Sequence, residues 1–483
     1  MSLKQKAFKG IVWSSFQQFS TQVISFVVSV ILARILSPGE FGLIAMIGVF
    51  ISLGNSLVES GLSQSLLRTK NPDEEDYSTV FFFNLIISLF VYVLIFIFSN
   101  QIAIFFNQPI LTRIIRVYGI IFIINALSII QTTRLTYNFD FKTQMKIALP
   151  SLIFGSSLGI LLAYNGFGVW SLVWSAIAQS AVSCVYLWKS SSWRPVLSLN
   201  LEKIKHHLGF GYKLTISGII DTIFVNSYAI IIGKYFAPAQ VGFYQRADSL
   251  KQLPVSNFIY VLNKVTFPLF AQIHEDDVRL KNAYRKIIKI VVFLVAPTLI
   301  FMAVLATPLF RFLFTEKWLP SVPFFQILCI NGILYPIHAF NLSILNVKGN
   351  SGLFLKVEIV KKVLLTVVLL ISFNWGIYGL IYGSVVFSII AFFINTHFTF
   401  RYLKYSAWQQ IKDLFPSIFL ALVCGLLIFL IDNQLKVHLV NDLIRIVLPG
   451  SIGLLIYVTI SYILSYGQLN DLKSLVKKDT LKG

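Results

Sequence analysis

The chain has 483 residues, 56% of them hydrophobic and only 12% charged, with a formal net charge of +20. Soluble domains carry about 25% charged residues, so an ordinary cytoplasmic enzyme is excluded. A disordered chain is excluded too, because such chains have too little apolar surface to fold.

A membrane-crossing helix needs about 20 apolar residues. Apolar runs and their breakers place about fourteen along this chain, which reads as an all-α polytopic membrane protein. The first six spans are expected near 11–33, 41–63, 79–99, 114–133, 146–164 and 168–188. The first follows Lys4, Lys6 and Lys9, as a signal peptide would, but its apolar core is too long and is expected to stay as a helix. A polar, basic stretch at 189–211 comes next. Eight further spans are expected near 212–234, 252–272, 287–307, 321–346, 357–373, 376–400, 413–431 and 443–466. The segment 252–272 is the most polar of these, carrying Pro254, Asn263, Lys264 and Pro268.

The 40 Lys and Arg are spread between the spans instead of gathered on one domain, which argues for basic loops against an anionic leaflet and against a nucleic-acid partner. With the N-terminus inside, about 29 of them fall on the inner side and about 10 on the outer, which favours two cytoplasmic termini. The outer loops are short and leave no room for a catalytic domain. Cys184, Cys329 and Cys424 lie in different spans, so no disulfide framework is visible.

Arg34-Ile-Leu-Ser-Pro-Gly-Glu-Phe-Gly42 closes the first span and opens the second; Lys234-Tyr-Phe-Ala-Pro-Ala-Gln-Val-Gly242 does the same for spans seven and eight. An even number of spans separates the copies, so they run the same way through the membrane. Parallel repeats imply two pseudo-symmetric lobes around a central cavity. The expected organisation is an N-terminal lobe at 1–188, an inter-lobe connector at 189–211, a C-terminal lobe at 212–400, and two further spans with a cytoplasmic tail at 401–483.

The spans marked by this repeat also carry polar stripes. Ser14, Gln18, Thr21, Gln22, Ser25 and Ser29 recur at helical spacing on the first, and Ser52, Asn55, Ser56, Glu59 and Ser63 on the second. Span seven holds Lys213, Ser217, Asp221, Thr222 and Asn226, and span eight Ser256, Asn257, Tyr260, Asn263 and Lys264. Small polar residues often serve only to pack helices. A charge at mid-bilayer costs at least about 2.5 kcal/mol, so Glu59, Asp221 and Lys264 are expected to face a cavity or a partner. Lys213 is closer to the cytoplasmic boundary. Glu358 and Lys361 are expected to pair at the start of span eleven. His274-Glu275-Asp276-Asp277 reads as a solvated loop, and no metal site, catalytic residue or nucleotide-binding loop is expected.

Several segments are similar to signatures of Wzx-type polysaccharide exporters, of the multidrug/oligosaccharidyl-lipid/polysaccharide exporter superfamily. They are Phe243-Tyr-Gln-Arg-Ala247 with Leu253-Pro254, Val265-Thr-Phe-Pro-Leu-Phe270, Glu316-Lys-Trp-Leu-Pro320 and Gly349-Asn-Ser-Gly-Leu-Phe-Leu-Lys356. In the first lobe Phe139-Asp-Phe-Lys142 and Gly166-Phe-Gly-Val-Trp-Ser-Leu-Val173 also resemble the family. The colanic-acid and teichuronic-acid exporters are the nearest branch. The resemblance implies a flippase, not an enzyme, that moves an undecaprenyl-diphosphate-linked oligosaccharide across the bacterial cytoplasmic membrane by alternating access. It implies membrane lipids as surroundings, with glycosyltransferases and a polymerase as pathway partners.

Under that resemblance Lys264 and Lys213 are candidates to face the cargo diphosphate. Gln18, Gln22, Asn55, Asn226, Asn257 and Asn263 are candidates to hydrogen-bond sugar hydroxyls. Glu59 and Asp221 are candidates for coupling to a proton or sodium gradient, or for holding the lysines in place. No cofactor is implied. The alternatives are a multidrug exporter of the same superfamily, a lipid II flippase, and a membrane polymerase or ligase acting on lipid-linked glycans. Lys264 argues against a cationic cargo, and the short outer loops against an enzyme.

Overall fold

A computed structural model describes residues 3–59, 61–438, 441–464 and 467–468; within these, the side chains of 3–8, 210, 213–214, 260–269, 271 and 351 are not described. The described chain is built of α-helices joined by short turns, and it divides into two compact units, Met1–Gly242 and Phe243–Gly483.

The first unit opens with α1 (Leu3–Ile35) and α2 (Pro38–Glu59). Pro38 can start a helix because the first turn leaves N–H groups unpaired in any case. Ser37 and Glu40 close that end reciprocally: the Glu40 carboxylate accepts from the Ser37 N–H at 2.7 Å, and Ser37 Oγ accepts from the Glu40 N–H at 3.4 Å. A short α3 (Leu62–Arg68) follows Gly61, whose φ of 64° is open to glycine at little cost. Then come α4 (Glu74–Phe105), α5 (Ile110–Tyr118), α6 (Ile120–Tyr137), α7 (Phe141–Tyr164) and α8 (Val169–Ser190). Asp73 begins α4 with a capping box to Asp76, and Asp140 caps α7.

The stretch expected as a connector is laced onto the start of α4. The Val196 N–H donates to Ser78 Oγ at 3.0 Å, Ser198 Oγ donates to Glu75 at 3.0 Å, and Trp193 is buried edge-on against Tyr77 and Phe81. Helix α9 (Leu201–Val225) then begins inside that stretch, capped by Asn200. It is followed at Asn226 by α10 (Ser227–Tyr235), bent 47° away. The expected span 212–234 is therefore a broken helix that starts eleven residues earlier, because Asn200 supplies the cap.

The second unit takes most of α11 (Pro238–Gln272), then α12 (Asp277–Val304), α13 (Ala306–Phe314), α14 (Ser321–Val347), α15 (Ser351–Ser372), α16 (Gly376–Leu403), α17 (Ala407–His438) and α18 (Asp442–Ile463). Asp276, from the acidic loop, caps α12 by accepting from the N–H groups of Val278 and Arg279. Lys361 pairs with Glu358. Two of the exporter-like segments meet here: Phe243 packs edge-on against Trp318 at 6.1 Å, and the buried Arg246 guanidinium lies 5.0 Å over the same indole.

Among the described residues eleven helical stretches are long and apolar enough to cross a membrane, twelve if the bent α9–α10 pair is one span. One stretch, Gly352–Leu403, is 52 residues long. That is more than twice the length a bilayer needs, and it breaks at Phe373–Trp375 into α15 and α16, which pack on one another. α11, with the polar segment 252–272, remains outside this count. The protein is an all-α, multi-pass membrane protein, with fourteen spans as an approximate number.

Candidate functional site

Five helices of the first unit, α1, α2, α6, α7 and α8, enclose a cavity of about 400 Å³. Its wall is polar for a protein this apolar. α1 supplies Gln17 and Thr21, α2 Asn55 and Glu59, α6 Asn125, Ser128 and Thr132, and α8 Gln179, Ser180 and Ser183. Within each helix these residues recur at three or four positions, so one face of each carries the polar groups.

Hydrogen bonding sets which atoms remain available. Asn125 Nδ2 donates to Asn55 Oδ1 at 3.3 Å, which joins α6 to α2 across the cavity wall. Ser128 Oγ donates to the Ile124 carbonyl at 3.0 Å and Thr132 Oγ1 to the Ser128 carbonyl at 3.2 Å. Their protons are engaged on their own helix, leaving oxygen lone pairs as acceptors. Glu59, at the last residue of α2, is the one carboxylate among the described lining residues, and no lining residue carries a positive charge. Such a cavity can hydrogen-bond hydroxyl-rich or amide-bearing groups, and its carboxylate can hold a proton or a small cation.

Of the residues singled out from sequence, Thr21 of the first stripe and the site candidates Asn55 and Glu59 line this cavity. Gln18 is exposed and Gln22 half-buried on α1, and neither is in the wall; their neighbours Gln17 and Thr21 are. Asp221 and Asn226 are on the broken α9 and its end, also outside the wall. Asn226 Nδ2 donates to the Thr222 carbonyl at 2.7 Å, and Thr222 Oγ1 lies 3.4 Å from Ser56 Oγ of α2. Asn257, in the second unit, is exposed and donates to the Leu253 carbonyl at 2.9 Å. Lys213, Asn263 and Lys264 fall outside the described side chains.

Sequence reading passed over Gln17, Asn125, Ser128, Thr132, Gln179 and Ser183. The signal was present in the 125/128/132 and 179/183 spacings. Apart from Gln17 on α1, these residues lie on spans outside the repeat, where polar spacing drew no attention.

The polysaccharide biosynthesis protein family matches residues 31–323. The succinoglycan biosynthesis transport protein ExoT of Rhizobium meliloti (strain 1021) is 24% identical over 458 residues, covering 93% of this chain and 91% of its own. The lipopolysaccharide biosynthesis protein WzxC of Escherichia coli (strain K12) is 24% identical over 417 residues, covering 85% of this chain and 84% of its own. A solved structure of the lipid II flippase MurJ in an inward closed conformation matches with a TM-score of 0.76 at 15% identity, covering 95% of this chain and all of that one. At that identity the likeness is one of fold.

Proposed function

This chain belongs to the polysaccharide biosynthesis protein family, and from that premise we propose that it is a flippase for a polyprenyl-diphosphate-linked oligosaccharide. The observation that carries the reading is the cavity of the first unit, whose wall gathers amides and hydroxyls from α1, α2, α6 and α8. Polar groups in a membrane interior are costly and mark substrate or ion paths. An oligosaccharide offers many hydroxyls for such amides and lone pairs to bind. The transport function in the name of ExoT, and the polysaccharide role in the names of both ExoT and WzxC, support the same reading.

In this proposal Glu59 takes up the coupling proton or sodium ion, since it is the carboxylate that the cavity presents. Lys264 and Lys213 counter the diphosphate, whose transfer through low dielectric needs fixed positive charge. The host membrane is the bacterial cytoplasmic membrane. The excess of basic residues on one side supports an orientation with both termini in the cytoplasm, in which cargo enters from the inner leaflet. Glycosyltransferases supply it and a polymerase consumes it.

The test is transbilayer movement of a fluorescent polyprenyl-diphosphate oligosaccharide in proteoliposomes, with and without an imposed pH or sodium gradient. Protein-dependent flipping is expected, lowered by Lys264→Ala with insertion unchanged. Efflux of cationic dyes without glycolipid flipping would transfer the protein to the multidrug exporters. Inactivity on both would leave the fold alone standing.

A further inference from the structure

The second unit contains a different kind of cavity, of about 510 Å³, between the end of α12, α13, the first half of α14, the middle and end of α17 and the first turn of α18. Three cations line it, Arg311, Lys436 and Arg445, against one carboxylate, Asp432.

These cations are not equivalent. Arg445 is spent on its neighbours: its Nε and one terminal nitrogen hold both Asp432 oxygens at 2.9 and 3.0 Å, and its other terminal nitrogen reaches Asp442 at 3.3 Å. That bidentate pair neutralises the single lining carboxylate. Arg311 is held only loosely, at 3.5 Å from Asp442 and 3.7 Å from Glu316, and its Nε is buried without a hydrogen-bond partner. Lys436 is exposed and has no carboxylate partner among the described residues. The Lys436 charge and the buried Arg311 N–H donor are thus left to the cavity, with the Asn433 amide beside them.

Below this charged rim the wall is apolar, formed by Ile300, Ile330, Ile333, Leu422 and Phe429. A free anion would gain nothing from that wall, whereas an amphiphile would bury its chain there, at about 25 cal/mol per Å² of apolar surface. We propose that this cavity binds a membrane lipid through its phosphate, with Arg311 and Lys436 on the phosphate oxygens and the lipid chain along α14 and α17. A guanidinium suits phosphate because its donors match two oxygens at once.

The opposite end of this unit carries Arg279, Lys281, Arg285, Lys286, Lys348, Arg401, Lys404 and Lys412. The cavity is therefore at the basic-poor end, which the orientation proposed above makes the outer leaflet. That leaflet assignment rests on the flippase reading; lipid binding itself does not.

The full chain in detergent can be tested by native mass spectrometry with phosphatidylglycerol, a polyprenyl phosphate, neutral diacylglycerol and inorganic phosphate. Arg311→Gln with Lys436→Gln should lower occupancy by either phosphate lipid about tenfold, while Lys412→Gln leaves it unchanged. Whichever lipid binds more tightly names the occupant. Lys436→Gln alone, at an exposed side chain, should give a smaller loss without disturbing folding, and thermal unfolding of each variant checks this. Equal occupancy in the double variant and the parent, or equal binding of diacylglycerol, would overturn the proposal. Saturation by inorganic phosphate that displaces the lipid would also overturn it in favour of a free-anion site. None of these readouts requires flipping, so failure here is distinguishable from failure of the transport reading.

Discussion

Gly42 and Pro238 are in backbone contact: a Cβ built on Gly42 would fall 1.8 Å from the Pro238 carbonyl oxygen. The contact is reciprocal, since a Cβ on Gly242 would fall 2.0 Å from the Pro38 carbonyl oxygen. Both copies of the repeated motif belong to the first unit, and their matched residues touch one another. Close helix crossings in membranes are made by small residues, because the attraction comes from backbone packing.

Gly42→Ala should therefore be severe. Relief requires two helix starts to move apart, at a cost of about 3 kcal/mol or more given what overpacking does in tight cores. Gly48→Ala, on the same helix with nothing within 4 Å of the added methyl, should be near neutral. Fluorescence-detected size exclusion after heating would compare them. Similar melting of the two variants would contradict the close approach.

Arg246 should contribute through the rings beneath it. Its guanidinium lies 4.9 Å over Phe314 and 5.0 Å over Trp318, with Trp318 fully buried. Desolvated cation–π contacts are worth about 2 kcal/mol, so Arg246→Gln should destabilise by that order and Trp318→Leu by more. Arg246→Lys should recover only part, because a planar guanidinium stacks on rings and an ammonium does not. A double-mutant cycle in detergent unfolding would show additivity if the pair were not coupled.

The ion cluster at Lys203 predicts a pH profile. Lys203 Nζ lies 2.6 Å from Asp73, 3.1 Å from Glu75 and 3.2 Å from Asp76. Burial works against its charge, but the three carboxylate hydrogen bonds outweigh it and raise its pKa. Asp73 is held below the usual carboxylate range, first by Lys203 and then by the Asp76 N–H. His207, 2.8 Å from Ser65 Oγ and 3.6 Å from Asp76, is kept low chiefly by burial.

A raised lysine stabilises fully below about 10.4 and loses that contribution as pH rises; a depressed histidine stabilises above about 6.5 and loses it as pH falls. Stability should be flat between those values. Lys203→Met should lower the plateau by about 1 kcal/mol at most, as suits a partly exposed network, and shorten the alkaline limb. His207→Gln should flatten the decline just below about pH 6.5. Melting curves across pH that leave both limbs unaltered in these variants would refute the assignment.

Glu59 offers the sharpest functional contrast. If it carries the coupling ion, Glu59→Gln should abolish acceleration by an imposed gradient and leave gradient-free flipping in place. Gln18→Ala, outside the cavity wall, should change neither. Gradient-driven flipping by the Glu59→Gln protein would remove this carboxylate from the coupling step.

Sequence alone determined that this is a multi-pass helical membrane protein, because 56% hydrophobic and 12% charged residues admit few other solutions, and backbone groups in lipid must pair within helices. The Pro38–Gly42 and Pro238–Gly242 repeat was equally legible, as was the polar character of Asn55 and Glu59. Helical periodicity says which residues share a face, but it does not say which faces meet. Only the tertiary structure chose Gln17 and Thr21 over Gln18 and Gln22, since a rotation of α1 by about 100° per residue exchanges cavity for surroundings. It alone joined Asn125 to Asn55, stacked Arg246 on Trp318, and gathered Arg311 and Lys436 from distant helices around one cavity. These are long-range relations, decided by how helices pack.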